Sequence, residues 1–227
     1  MIFLPDVTLV TVTSVDIPQS VNALRVSSEK IQFASVKILT SEDISSLPEK
    51  VTHVTIPKLD FYGYSKFIIE ELYKYVETQY CLIIQADGFV INSHLWNDEF
   101  LKYDYIGAPW PETIGTSFGN LDLTGNRVGN GGFSLRSKIF LEACAKVKFD
   151  SIEEQIKSED FLLCHYLYER MLNEGIRFAP LSLAQSFSLE SCLDPATHTL
   201  DNVFGFHGKN WLQSEKIQSK LASEPGI

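Results

Sequence analysis

The first patterned stretch, Val7-Thr-Leu-Val-Thr-Val-Thr13, is rich in β-branched residues and is bounded by Pro5-Asp6 and by Ser14-Val15-Asp16-Ile17-Pro18. It predicts a strand running into a helix that starts near Pro18, where a missing N–H costs nothing. Val36 to Leu39 and Val51 to Ile56 are two more short runs of strand character. From Phe61 to Val76 the period changes. Phe61, Tyr64, Ile68, Leu72 and Tyr75 recur three and four apart, with Lys66, Glu70 and Lys74 on the polar side, the pattern of an amphipathic helix. Tyr80-Cys-Leu-Ile-Ile84 is continuously apolar, too short for a helix, and closed by Gln85-Ala86-Asp87-Gly88; it reads as a strand buried on both faces. Strands alternating with helices predict an α/β protein with a mostly parallel central sheet.

Past residue 100 the pattern breaks. Residues 105–133 hold seven of the thirteen glycines and only three charged side chains, Glu112, Asp122 and Arg127. They follow neither period, which predicts a long functional loop, with Tyr105, Trp110, Phe118 and Phe133 interleaved in it. Ser137 to Val147 reads as helical, and Ser151-Ile-Glu-Glu154 has the spacing of a capping box. Another helix follows Ser158, placing Phe161, Cys164, Tyr168 and Met171 on one face and ending at Asn173-Glu174-Gly175. No repeat or linker divides the chain. At roughly 150 residues per domain, one domain covers 1–227, with a peripheral polar tail over 213–227.

Composition narrows the partners. With 44% hydrophobic and 21% charged residues the chain is neither disordered nor fibrous. Its 19 Lys and Arg against 29 Asp and Glu give a net charge of -10, which argues against nucleic acid as the main partner. No apolar run exceeds the five of Tyr80–Ile84, far short of the roughly 20 of a transmembrane helix. The N-terminal Met1-Ile-Phe-Leu4 carries no charged leader, and Cys81, Cys144, Cys164 and Cys192 show no CxxC spacing. Both features lead us to expect reduced thiols and a cytoplasmic location, with peripheral attachment to the inner face of the membrane left open.

Four segments are candidates for chemistry. Asp87 follows the most buried strand, where open parallel sheets bind ligands and where a carboxylate can hold a divalent cation; Asp87-Gly88 also suits a plain turn. Val128-Gly-Asn-Gly-Gly-Phe-Ser-Leu-Arg136 brings Asn130, Gly131 and Gly132 before an apolar run, either for close backbone approach to a ligand or as a bulged turn feeding a strand. Ser158-Glu159-Asp160 puts two carboxylates in a helix's first turn, where the macrodipole favours an ionised base and equally favours simple capping. Val203-Phe-Gly-Phe-His207-Gly-Lys209-Asn-Trp211 sets one His among glycines and aromatics, to complete a metal site or to hold a loop.

Taken in order, Leu82 to Val90, Tyr103-Asp-Tyr-Ile-Gly-Ala-Pro-Trp110, Val128 to Arg136, Ser158-Glu-Asp160 and Phe204-Gly-Phe-His207 resemble a family of uncharacterised bacterial and viral glycosyltransferase-like domains. The likeness spans roughly residues 80–211. It implies a GT-A fold, with a nucleotide-binding half to about residue 90 and an acceptor-binding, catalytic half over about 91–212, acting on a nucleotide-sugar donor and a glycan acceptor. By that resemblance Asp87 and His207 are ligands of Mn²⁺ or Mg²⁺ and Asp160 is the catalytic base. Thr13, Ser14, Asp16, Lys66, Gln85, Asn130, Gly131, Gly132 and Lys209 are expected on the donor, and Trp110 and Glu159 on the acceptor. Gln85 replaces the first acid of the D-x-D metal motif. The rival readings are a binding domain of the same fold without catalysis, favoured by Gln85, and a metal-dependent phosphohydrolase or nucleotidyltransferase, which would gather more carboxylates around Asp87.

Overall fold

The computed structural model describes residues 1–223. β1 (Ile2–Val12), helix α1 (Ile17–Ser28), β2 (Ile31–Thr40), β3 (Val51–Thr55), helix α2 (Phe61–Glu70) with a 3₁₀ turn at Leu72–Tyr75, and β4 (Tyr80–Ile84) follow in turn. β1 pairs with β2 and β4, and β2 with β3, all parallel. Val7, Leu9 and Val10 of β1 are fully buried, as are Leu82 and Ile83 of β4, because helices cover both faces of such a sheet. Burial of each such side chain contributes about 1.5–3 kcal/mol. α1 starts where Asp16 turns through φ 51° and Pro18 fixes the first turn.

The second half adds two strands to the same sheet, of which one runs against the other five. After β5 (Gly88–Val90) and β6 (Tyr105–Gly107) comes a hairpin of β7 (Thr113–Thr116) and β8 (Gly119–Asp122), then β9 (Phe133–Ser137). β9 is antiparallel to both β4 and β6, giving the order β3-β2-β1-β4-β9-β6. The segment 105–133 is therefore more ordered than its composition predicts. Tyr105, Trp110 and Phe133 are buried, and only Phe118, near the hairpin tip, stands exposed.

Helix α3 (Lys138–Cys144), α4 (Glu159–Phe161) running into a π-helical turn at Leu162–Tyr166, α5 (Tyr168–Asn173) and α6 (Leu181–Phe187) lead to β10 (Ser188–Leu189), β11 (Gly205–His207), α7 (Lys209–Leu212) and α8 (Glu215–Ser223). The expected capping box at Ser151–Glu154 caps nothing: a 3₁₀ turn over Phe149–Ser151 ends there and the next helix begins at Glu159. α8 buries Ile217 in the main core, so this part of the expected peripheral tail is packed; residues 224–227 lie outside the described residues. Cys81, Cys144 and Cys164 are buried free thiols and Cys192 is exposed. Among the described residues no helix is long and apolar enough to cross a membrane.

Candidate active site

Parallel pairing of β1 with β4 puts their carboxyl ends on one edge of the sheet, the usual position of a ligand crevice. Thr13–Asp16 leave β1 there and Gln85–Asp87 leave β4. The small sheet β10-β11-β5 completes the edge. Its register sets Leu189 beside Phe206 and His207 beside Gly88, which brings Glu190, His207 and Asp87 together from three distant stretches of chain. Gly88 permits this approach: a β-carbon there would lie 2.6 Å from the Phe206 carbonyl oxygen.

Two chambers open from this edge. The larger, about 590 Å³, is walled by Thr11–Asp16, Asp60, Phe61, Tyr64, Gln85 and Asp87. The smaller, about 530 Å³, is walled by Trp110, Ile114, Ser191, Asn210 and Trp211. They share Asn130, Asp160, Phe161, Glu190, His207 and Lys209, so these residues form the boundary across which one bound molecule faces another.

His207 is the hub of that boundary. Its Nδ1 lies 3.0 Å from Glu190 Oε1, and its Nε2 lies 3.3 Å from Asp87 Oδ1 and 3.1 Å from Gln85 Oε1. Burial alone would lower the imidazole pKa, but the hydrogen bonds to Asp87 and Glu190 outweigh it and hold it up at about 10. Asp87 is the mirror case: burial raises its carboxyl, and the His207 hydrogen bond and charge bring it below the ordinary range. Oxygens face both ring nitrogens, which favours the doubly protonated, positively charged imidazolium, or a cation in place of the Nε2 proton. Glu190 behind Nδ1 and two oxygens before Nε2 are the surroundings of a metal-binding His. Among the described residues no group of three or more His, Cys, Asp and Glu side chains is arranged to hold a metal ion. The residues thus fit a cation only on one carboxylate, one imidazole and the neutral Gln85 amide.

Asp160 sits at the start of α4. Its Oδ1 accepts from the Phe161 N–H at 2.8 Å and its Oδ2 from the Gly131 N–H at 3.3 Å. Burial pushes its carboxyl up to about 6, and the neighbouring Glu159 carboxylate adds to the rise. A base near that value takes a proton readily at neutral pH.

The remaining sequence candidates fall into different places. Thr13, Ser14 and Asp16 line the larger chamber, though the Ser14 hydroxyl is taken by the Leu59 N–H at 2.8 Å. Gln85 donates to the Tyr64 hydroxyl at 2.9 Å as well as facing His207. Asn130 donates to Glu190 Oε2 at 2.7 Å, and Lys209 lies on both chambers. Lys66 is elsewhere: it pairs with Asp150 on the surface and borders neither chamber. Glu159 is not placed for an acceptor, because Arg136 grips both of its oxygens at 3.1 and 2.9 Å in a pair that is 0% and 5% exposed. Trp110 is buried and stacks on Phe161 with ring centres 4.8 Å apart, so that face is occupied. Gly132 lines the larger chamber and Gly131 borders neither; a β-carbon at Gly131 would meet Glu159 Oε1 at 2.2 Å and one at Gly132 would meet His207 Nε2 at 2.2 Å.

Several site residues carry no sequence signal. Glu190 and Tyr64 lack any motif, and Thr11 lies inside a strand. Thr11 Oγ1 and Asn130 Oδ1 are buried on chamber walls with no hydrogen-bond partner among the described residues, an arrangement that costs stability unless something else satisfies them.

Fold and site together define an α/β protein with paired chambers at the carboxyl edge of a mostly parallel sheet. The chain belongs to a family described as a protein of unknown function, DUF5672, whose model matches residues 50–207. Among solved structures it is similar to a glycosyltransferase involved in glycosylation of the major capsid of PBCV-1, at TM-score 0.47 and 10% identity over 96% of this chain and 99% of that one. It is also similar to residues 1–349 of S. aureus TarS, at TM-score 0.41 and 12% identity over 63% and 48% of the two chains. The bifunctional IspDF from Campylobacter jejuni matches at TM-score 0.41 and 7% identity over 77% and 48%. The chain spans about half the length of the last two. A search of the curated proteins found no match.

Proposed function

We propose that the chain is a glycosyltransferase of the GT-A type, moving a sugar from a nucleoside diphosphate donor to a hydroxyl of a glycan. The observation that carries this reading is the pair of chambers meeting at Asp160, a carboxylate tuned to about 6. Asp160 takes the acceptor hydroxyl's proton as the acceptor oxygen bonds to the donor's anomeric carbon. The bond from that carbon to the diphosphate oxygen breaks, and the electron pair leaves with the diphosphate. One displacement inverts the anomeric centre. Lys209, on both chambers, faces the negative charge that develops. Asp87 and His207, with Gln85 Oε1, would hold Mn²⁺ or Mg²⁺, which supplies positive charge beside the leaving diphosphate. We place the activity in surface polysaccharide or lipopolysaccharide synthesis on the cytoplasmic side of a membrane.

Thermal shift with UDP, GDP, dTDP and CMP, each with and without Mn²⁺, tests the reading. One nucleotide raises the melting temperature, and Asp87→Asn and His207→Ala each remove the Mn²⁺-dependent part. No response to any nucleotide sinks the transferase. A response that ignores Mn²⁺ in all three proteins removes the cation. Binding without transfer or donor hydrolysis favours the non-catalytic rival, for which Gln85 in place of an acid is the supporting observation.

A further inference from the structure

Arg136 lies on β9 with its guanidinium fully buried, and it borders neither chamber. A buried ion pair contributes little over apolar side chains of similar volume, so stability alone does not account for it. Its hydrogen bonds point toward the site. Nη1 and Nη2 donate to Glu159 Oε2 and Oε1 at 3.1 and 2.9 Å, and Nε donates to Ser134 Oγ at 3.0 Å. Nη2 also reaches the Gly131 carbonyl oxygen at 3.5 Å, which accepts from the Ser134 hydroxyl at 2.9 Å. The rings of Tyr105 and Phe140 lie 5.2 and 6.0 Å from the guanidinium carbon, so packing confines the planar fork as well.

Both groups in that grip adjoin Asp160. Glu159 precedes it on α4, and the Gly131 N–H donates to its Oδ2 at 3.3 Å. A β-carbon on Gly131 would lie 2.2 Å from Glu159 Oε1, 3.0 Å from Arg136 Nη2 and 3.1 Å from the Asp160 β-carbon, so these groups close on one another without slack. α4 itself spans only Glu159–Phe161 before it widens into the π-helical turn, too short to hold a side chain by its own hydrogen bonds. We propose that Arg136 is the positioning residue for Asp160, one buried fork that holds Glu159 on one side of the base and the Gly131 carbonyl on the other. This rests on the reading of Asp160 as the base and adds the group that sets it at the boundary of the chambers. Glu159 also acts by charge. Asp160 is faced by Glu190 from the stretch after β10, by Tyr64 of α2 and Tyr105 of β6, and by His207 and Lys209 at the chamber boundary. Of the two carboxylates Glu159 does more, after burial, to keep the Asp160 carboxyl up at about 6.

A double variant, Arg136→Met with Glu159→Met, tests it, because neither charge is then stranded and the fold is retained. One readout is the release of nucleoside diphosphate from UDP-glucose, GDP-mannose and dTDP-glucose. The other is the Asp160 carboxyl carbon followed by ¹³C NMR across pH and assigned by its loss in Asp160→Asn. In the double variant kcat falls about a hundredfold with KM unchanged. Asp160 then titrates below the wild-type value of about 6, because the Glu159 charge is gone. Arg136→Lys keeps a cation on Glu159 without the fork, so its titration stays near wild type while kcat lies between the two. Ser134→Ala loosens the same clamp mildly and lowers kcat less. A wild-type kcat or an unmoved Asp160 titration in the double variant overturns the proposal. If that variant does not fold, a wild-type kcat in both Arg136→Lys and Ser134→Ala overturns it instead. If the wild type turns over none of the three donors, the transferase reading fails, while the titration still decides whether Arg136 and Glu159 govern Asp160.

Discussion

The two halves of the molecule are built by different physics. In the first, β1 to β4 and their helices place Thr13–Asp16 and Asp87 by backbone regularity: parallel register and buried aliphatic faces decide where each loop emerges. In the second, positions are decided by individual side chains. Arg136 on β9 reaches Glu159 on α4, and the Gly131 N–H meets Asp160 in the same cleft. Glu190 ties Asn130, His207 and Trp211. A periodic scaffold tolerates many sequences, whereas a site held by single contacts fails one contact at a time.

The sharpest way to break this comparison is at Asp160. Asp160→Asn keeps the shape and removes the base, and transfer falls by about 10² to 10⁴ in single-turnover measurement. The wild-type rate climbs with pH through about 6, because the base works only when ionised. Stability moves the other way. A carboxyl whose folded pKa lies above its unfolded value costs the native state nothing while both forms are protonated. The cost then grows as pH rises and is complete above about 6. Asp160→Asn relieves that cost at pH 7.5 but gives up one of the two backbone N–H acceptors, so its stability relative to wild type falls as the pH drops through about 6. A destabilised, fully active Asp160→Asn would reduce the residue to a helix cap.

Next in size is the buried ion pair. Glu159→Gln strands the Arg136 guanidinium, and Arg136→Met strands the carboxylate; each costs about 3–5 kcal/mol in urea unfolding. Replacing both by Met costs much less than the sum, since neither charge is then left unpaired. In the first half, Leu9→Ala costs about 2–5 kcal/mol with no partner able to rescue it, because the loss there is a cavity. Additive losses at Arg136 and Glu159 would erase the distinction between the halves.

That distinction also explains what could be read from the sequence. The run Tyr80–Ile84 and the spacing through Phe61, Tyr64 and Ile68 locate β4 and α2 because periodicity is local. Asp87, Asp160 and His207 stand out by position beside a strand end, a helix start and a glycine pair, and all three line the larger chamber. Glu190 does not stand out: only the pairing of Leu189 with Phe206, across the intervening loop, brings it to His207. Glu159 misleads for the converse reason. Its partner Arg136 lies 23 residues earlier, and nothing local reveals that the carboxylate is already engaged.

A smaller effect is expected at Gly132, where the added methyl of Gly132→Ala must push back the His207 ring. Overpacking of this kind costs about 1–3 kcal/mol. Because the ring carries the boundary between chambers, nucleotide affinity drops along with stability. A variant with lowered stability and intact nucleotide affinity would show that the strand yields instead of the ring.

The smallest effect is the most direct test of local pattern against three-dimensional placement. Lys66 is on the polar face of α2, close in sequence to Phe61 and Tyr64, which do line the larger chamber, and a lysine there is an obvious candidate for a phosphate. The helix turns it the other way. Its ammonium meets Asp150, 84 residues on, at a surface where Lys66 is partly and Asp150 largely exposed. An exposed pair is screened by water and salt and contributes little. Lys66→Ala therefore leaves melting temperature, nucleotide response and transfer unchanged, while Lys209→Ala, which removes a cation from both chambers, weakens nucleotide binding. The two variants are measured side by side at low and at high salt. If Lys66→Ala lowers nucleotide affinity as much as Lys209→Ala does, the donor's phosphates extend beyond the larger chamber along α2, and the boundary drawn at Asp160 and His207 is in the wrong place.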